Sequence, residues 1–224
     1  MNTNIKSGYL ARKPNIYEII RDKIQFLEIE PGANISESEL SQELGVSRTP
    51  IRETLLQLSS EKLLEIYPQK GMFVSKIDVS YIKQLAYMRH ILETHILSEM
   101  CQNMVKISDN LEKNLLLQRL SIKSRNIREY SKLDDEFHRI LFSYYGHESI
   151  WDVIEHTRAH FTRYRILKLS IGDNMSESIQ EHFEIIHCIE AGDIISLQNL
   201  LWEHHDCKLI SIDQIREKHP NYFL

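Results

Sequence analysis

The chain has 224 residues, 42% hydrophobic and 26% charged, with a formal net charge of −5, the proportions of an ordinary folded globular protein. No apolar run reaches the ~18 residues of a membrane-spanning helix, which excludes an ordinary transmembrane span. Its three cysteines, Cys101, Cys188 and Cys207, are far apart and form no close pair, so neither a disulfide framework nor a zinc knuckle is indicated.

The opening "MNTNIKSGYLARKPNIYEII" lacks the apolar segment of an export signal, so an unexported, cytoplasmic protein is expected, with no membrane partner. "NIYEIIRDKIQFL" places Ile16, Ile19, Ile20, Ile24 and Leu27 on one helical stripe, which Pro31 and Gly32 bring to a halt. "SESELSQELG" then predicts a second helix, with Ser36 and Glu39 as a capping box and Gly45 as its left-handed end. Ser47 is placed to cap a third helix, where Pro50 is tolerated because it falls in the first turn.

"LLEIYP" and "MFVSKI" are short β-prone runs around "QKG" and read as a hairpin whose turn Gly71 supplies. Three helices and a hairpin make a winged helix-turn-helix. Its exposed polar end, Ser47, Arg48, Thr49 and Arg52, carries the groups that meet base edges and phosphates. Helix pairs that only pack are also common, with such arginines as solvated charges.

The run "PGANISESELSQELGVSRTPIRETLLQLSSEKLLEIYPQKGMFVS" resembles the DNA-binding domain of GntR-type bacterial transcription regulators, most of all in "LGVSRTPIRE". The resemblance implies operator contacts from Ser47, Arg48, Thr49 and Arg52, with the wing around Gly71 entering the minor groove. Two positions depart from the family pattern. Ser38 stands where many members have an arginine, and Lys62 replaces the glycine of "EGL", so a residue with a Cβ must take a helix-ending conformation.

From Asp78 onward the apolar spacing is helical. A long helix capped by Asp78 or Ser80 comes first, followed by helices over 108–123, 126–145, 148–169, 176–191 and 193–216. Gly146, Gly172 and Gly192 lie at or beside the breaks, and short joints predict an antiparallel bundle. The whole is therefore expected to be all-α with a small β-wing: a DNA-binding domain over residues 1–76, then an effector-binding and dimerisation domain over residues 77–224. The first part balances ten basic against ten acidic residues, and the second has seventeen against twenty-two, so the acidity belongs to the bundle.

Several polar residues fall on faces that should be buried. Asp134 and His138 share the stripe of Ile127, Tyr130, Phe137, Leu141 and Tyr144. His182 lies among Ile179, Ile186 and Ile189, and His204 aligns with Leu197, Leu200 and Leu201. A buried carboxylate needs a cation, a hydrogen-bond network or a metal. One Asp and three His make a reasonable donor set for a divalent ion, Zn first, with Ni or Mn as alternatives. Each histidine could equally be a satisfied core side chain.

"LDDEFHRILF", "EHFEIIHCIEAGD" and "LLWEHH" resemble the FCD-type effector domain of the FadR branch of the same family. The resemblance implies a metal held by Asp134, His138, His182 and His204, with His205 keying less well to the spacing. It also implies a small organic-acid effector, with Arg89 lining the pocket and able to pair with Glu93. Arg163 and Arg165 are weaker candidates, because "HFTRYRILK" reads equally as a solvated face. His147 stands where many relatives have Asn.

The expectation is a homodimeric regulator, a repressor rather than an enzyme, that binds double-stranded operator DNA. The rival reading is a metal-dependent hydrolase-like enzyme, with Glu136 or Glu181 as a general base.

Overall fold

The computed structural model describes residues 15–171, 175–205, 209 and 211–224; Gly172 and Cys207 lie outside them. The architecture is all-α with a small β-wing. Helix α1 (Ile16–Gln25) starts at Asn15, whose side chain accepts the Glu18 amide at 2.8 Å while the Glu18 carboxylate takes the Asn15 amide at 3.0 Å. Helices α2 (Glu37–Leu44) and α3 (Arg48–Ser60) form the helix-turn-helix, with Gly45 at φ 66° in the joint. Ser36 accepts the Glu39 amide at 3.3 Å, but the reciprocal capping box forms on α1 rather than on α2. Buried Ile20, Ile24, Leu40, Ile51, Leu55 and Leu58 hold the three helices together.

The hairpin is formed by β2 (Leu64–Tyr67) and β3 (Gly71–Val74), and a further strand, β1 (Asn34–Ile35), joins them in the antiparallel order β1-β3-β2. Two residues are too few to show a strand period, so sequence gave no sign of β1. The turn does not rest on Gly71 alone. Gly71 sits at φ 110°, and Gln69 ahead of it is also left-handed at φ 63°. Lys62 does take a left-handed helix-ending conformation, at φ 62°. Its amide reaches the Ser59 carbonyl at 3.0 Å, and its ammonium lies 4.4 Å over the Tyr81 ring, contacts that offset the backbone cost.

The bundle comprises α4 (Val79–Gln102), α5 (Asp109–Lys123), α6 (Ile127–Ser143), α7 (Glu148–Ser170), α8 (Met175–Ala191), α9 (Ile194–His204) and α10 (Ile212–Lys218). Asp78, rather than Ser80, caps α4, accepting the Ser80 and Tyr81 amides at 2.8 and 3.1 Å. Gly146 and Gly192, both at φ 73°, follow α6 and α8. The single helix expected over 193–216 is instead two. No glycine or proline marks the break; Leu209 turns the chain at φ 48° and is fully buried in a cluster with Ile77, Tyr164, Ile212 and Ile215. Packing of that cluster outweighs the local helical pattern.

Helix α7 also joins the two parts of the chain, and "HFTRYRILK" is not a solvated face. Ala159 packs into the core of the DNA-binding part. Arg163 is wholly buried, donating to the Ser75 carbonyl at 2.7 Å and to His160 Nδ1 at 2.9 Å. His160 Nε2 in turn donates to the Glu61 carbonyl at 2.8 Å. Burial, reinforced by Arg163, lowers the His160 pKa to about 4, so the ring is neutral and can accept from the guanidinium. Arg21 reaches across from α1 to the Glu155 carbonyl at 2.5 Å and carboxylate at 3.2 Å.

The wing turn gives a paired expectation. A Cβ on Gly71 would lie 3.2 Å from Asn34 Nδ2 as well as at an unfavourable φ, so Gly71→Ala should cost about 1–2 kcal/mol, whereas Gln69→Gly should be neutral or stabilising by up to about 1 kcal/mol. Thermal unfolding midpoints moving in these opposite directions check the two backbone assignments.

Candidate functional site

Two sites take shape, one on the surface of α3 and one inside the bundle. Ser47, Arg48, Thr49 and Arg52 are all exposed at the start of α3, and Gly71 is exposed on the wing. Ser47 occupies the N-cap position but makes no side-chain cap bond, so its hydroxyl and the first amides of α3 face solvent together. The Arg52 side chain is 69% exposed, with Nε 4.0 Å from Glu37 on α2, a separation at which the guanidinium is free to turn toward a phosphate or base. Ser38 is exposed on α2 and hydrogen-bonds Ser36 at 2.8 Å.

Inside the bundle, His138 of α6, His182 of α8 and His204 at the end of α9 bring one ring nitrogen each within 4.8 Å of one another. Their other nitrogens are all held. His138 Nδ1 is bonded to Glu93 of α4, His182 Nδ1 to Gln118 Oε1 of α5 at 2.9 Å, and His204 Nδ1 to Glu181 of α8 at 2.6 Å. The Gln118 orientation is fixed because its amide nitrogen donates to Asn114 Oδ1 at 2.7 Å and to the Leu133 carbonyl at 3.3 Å. Every one of the three partners is an acceptor, so each Nδ1 carries the proton and each Nε2 presents a bare lone pair.

Three lone pairs therefore meet with no donor among them. His138 Nε2 and His204 Nε2 are 3.2 Å apart, and among the described residues His182 Nε2, which is buried, has no hydrogen-bond partner. Burial lowers the His138 pKa to about 4 and drives that of His182 well below its ordinary value, helped by His204, so neither of these two rings becomes a donor at Nε2 by protonation at neutral pH. A cation would satisfy all three, and imidazole nitrogens held by outer hydrogen bonds suit Zn or Ni.

Asp134 lies beside this cluster, with Oδ1 3.6 Å from His182 Nε2. It is paired with Arg165, whose two terminal nitrogens donate to it at 2.6 and 3.2 Å. Burial opposes its charge, but the Arg165 guanidinium beside it holds the carboxyl well below its ordinary range. His205 points elsewhere. Its Nε2 donates to Glu93 at 2.8 Å and its Nδ1 meets His90 Nδ1 at 3.3 Å, so His204 rather than His205 belongs to the cluster.

Glu93, wholly buried, also accepts from Arg89 Nε at 3.1 Å. Burial opposes its ionisation, yet His138, Arg89 and His205 facing it keep the carboxyl well below its ordinary range. Arg89 Nη2 is buried with no hydrogen-bond partner among the described residues. It borders a cavity of about 350 Å³ that Tyr130, Asp134, Arg165, Ser178 and His204 also line. Of the two candidate bases, Glu136 is paired with Arg139 at 2.5 Å, and Glu181 is occupied in orienting His204.

Sequence reasoning placed the imidazoles but missed most of what orients them. Gln118 carried a usable signal, since it falls three residues after buried Leu115 on the apolar stripe of α5. Arg163 went to the join between the two parts instead of the cavity, while Arg165 went to the cavity. His147 sits at the N-cap position of α7 without a side-chain cap bond, where an asparagine would supply one.

A winged helix-turn-helix joined to a helical bundle with a ligand-sized cavity is the make-up of a DNA-binding transcription regulator. Residues 12–74 match the family "Bacterial regulatory proteins, gntR family" and residues 84–206 match the FCD domain. The chain belongs to the GntR family of transcriptional regulators and carries an FCD domain. It is 30% identical over 216 residues to an HTH-type transcriptional regulator in an unstable DNA locus of Streptomyces ambofaciens, covering 95% of this chain and 90% of that one. It is 29% identical over 210 residues to the HTH-type transcriptional repressor RspR of Escherichia coli K12, covering 93% and 92%. The solved structure of E. coli McbR/YncC shares the fold, with a TM-score of 0.72 at 17% identity over 91% of this chain and 96% of that one.

The Asp134–Arg165 pair yields a direct test. Arg165→Met would leave a buried carboxylate without its permanent cation and should lower the unfolding free energy by about 2–4 kcal/mol, read by urea denaturation. Replacing both, as Asp134→Asn with Arg165→Met, should recover a substantial part of that loss.

Proposed function

We propose that this protein is a cytoplasmic repressor which binds operator DNA as a homodimer, and that a small carboxylate metabolite bound beside a divalent metal in the bundle controls it. The division of labour falls near residue 76, with DNA recognition before it and sensing after it. The observation that carries the sensing half is the convergence of three bare Nε2 lone pairs on one point, with Glu93, Gln118 and Glu181 behind them. Zn is the first choice for that point, with Ni or Mn as alternatives, and Asp134 supplies a carboxylate beside the three imidazoles. The metal would offer a Lewis-acid position to a ligand oxygen.

The chain's own residues fit an anionic ligand. Arg89 Nη2 is a donor without a partner among the described residues at the cavity edge, and Arg165 also lines the cavity, its charge already opposed by Asp134. An acid entering there finds a cationic donor and hydroxyls from Tyr130 and Ser178. The ligand acts on DNA binding only through a difference in affinity between two states of the protein. Catalysis is disfavoured because the carboxylates nearest the imidazoles, Glu93 and Glu181, are both engaged in orienting them, and because the matched families are regulators.

For the DNA half, base-edge and phosphate contacts fall to Ser47, Arg48, Thr49 and Arg52, with the wing at Gly71. Arg48→Ala should weaken binding to the intergenic DNA beside the gene about 10- to 100-fold in a mobility-shift titration. Binding that shows no sequence preference, or that is indifferent to this change, defeats the reading. For the sensing half, elemental analysis should find about one divalent ion per chain. Gln118→Leu, which removes the acceptor behind His182, should weaken metal binding about 10- to 100-fold in a chelator competition. Metal affinity unchanged in that variant would remove His182 from the proposed donor set.

A further inference from the structure

The stretch over residues 75–78 that connects the wing to α4 is held largely by residues far from it in sequence. Ile77 has no exposed surface, so both of its backbone polar groups need partners. Its amide donates to the Tyr222 carbonyl at 2.8 Å, and its carbonyl accepts the Leu224 amide at 3.2 Å, a parallel bridge to Phe223. The local sequence explains how the chain reaches this point. Pro220 has no amide with which to extend α10, and the backbone tightens into a single 3₁₀ turn over Pro220–Tyr222. The Tyr222 ring stacks on His219 at 5.2 Å, and Phe223 leaves the turn in an extended conformation. Arg216 donates to the main-chain oxygen of Leu224 at 3.2 Å and lies 5.9 Å over the Phe223 ring.

This segment touches each part that meets at the joint. Phe223 shares a buried cluster with Ile77 of the connection, Ile82 of α4 and Tyr164 and Leu167 of α7, and Leu27, just past α1, packs against the same cluster. The Tyr222 hydroxyl is hydrogen-bonded to Glu30 in the DNA-binding part. At its other end, Ser211, immediately before α10, lines the cavity beside the imidazole cluster. Arg163 of α7 grips the same connection through the Ser75 carbonyl at 2.7 Å. The backbone is therefore clamped on either side of Lys76, which is itself exposed.

We propose that residues 211–224 act as a strap, running from the wall of the cavity to the joint, which locks the connection and fixes the DNA-binding part on the bundle. Two arrangements follow. In the strapped one Ile77 has both backbone partners, and in the released one it loses them while Phe223 leaves its cluster. Release costs the burial of one aromatic ring and a pair of backbone hydrogen bonds, the scale of a local opening, well short of global unfolding. The bundle core of Leu97, Phe137, Leu141 and Ile185 shares no residue with the Phe223 cluster, so it stays folded while the strap opens. The inference goes beyond the ligand-controlled repressor, and it stands or falls without reference to the metal or the effector.

Trypsin reads the lock directly, because its cleavage point after Lys76 lies inside the clamped stretch. On the full chain the Lys76–Ile77 bond should resist cleavage in the wild type although Lys76 is exposed, since the backbone on both sides is hydrogen-bonded. Phe223→Ser should speed that cut about 10-fold or more when cleavage tracks the open population, while Phe223→Leu, which keeps an apolar anchor, should stay within about threefold of the wild type. Amide hydrogen exchange separates local release from global unfolding. In Phe223→Ser the Ile77 amide should exchange about 10-fold or more faster, with the Leu141 amide of α6 unchanged. Cleavage and exchange that do not respond to Phe223→Ser would overturn the strap. An equal acceleration at Leu141 would overturn it too, by making Phe223 an ordinary core residue of one cooperative unit.

Discussion

Three Nδ1–H groups donate outward and three Nε2 lone pairs are left facing inward, and the rest of the bundle is arranged around that fact. The outward acceptors come from α4, α5 and α8 and the rings from α6, α8 and α9, so five helices are tied to one point. In a low-dielectric interior a satisfied hydrogen bond of this kind is strengthened, and an unsatisfied one is costly. The ordinary apolar core of Leu97, Phe137, Leu141, Ile185 and Leu201 supplies the burial that makes these bonds strong. It also closes off the alternative of solvating His182 Nε2, which has no hydrogen-bond partner among the described residues.

Helix α7 gives that centre a mechanical neighbour. Arg165 grips Asp134 on the cavity side, and two residues earlier Arg163 grips Ser75 at the root of the wing. On α6, Asp134 faces the cavity and the next residue, Asp135, is paired with Arg158 of α7. Helix α7 is one continuous helix, so the residue that grips Asp134 and the residues that hold α1 and the wing stand on the same element. The bundle and the DNA-binding part thus share a helix as well as a chain connection.

Much of this was legible in the sequence because it follows from periodicity and turn chemistry. The helix-turn-helix was readable from Ser36, Gly45 and Pro50, each with a local backbone reason, and the inward placement of Asp134, His138 and His182 followed from their spacing against apolar neighbours. What escaped was tertiary. β1 is too short to have a pattern, the break after His204 is imposed by burial of Leu209, and Arg163 reads as solvated until α1 and β3 are laid over it. Gln69 in the left-handed region shows the same limit on a smaller scale, since nothing in "PQKG" requires two residues of positive φ. The tautomers were likewise invisible, because they depend on Glu93 and Gln118, which lie on other helices.

The charge distribution completes the physical account. The DNA-binding part is neutral by count, so its grip on a polyanion depends on placement. Arg48 and Arg52 are exposed at the positive end of α3, where the free first-turn amides add partial positive charge, and the nearest acid to Arg52 is Glu37 at 4.0 Å. A phosphate approaching that end meets several donors and one distant carboxylate. The excess acid is carried by the residues after 76, which hold seventeen basic against twenty-two acidic side chains. An acidic chain can therefore present a basic end to DNA because Arg48 and Arg52 are left uncovered at the start of α3.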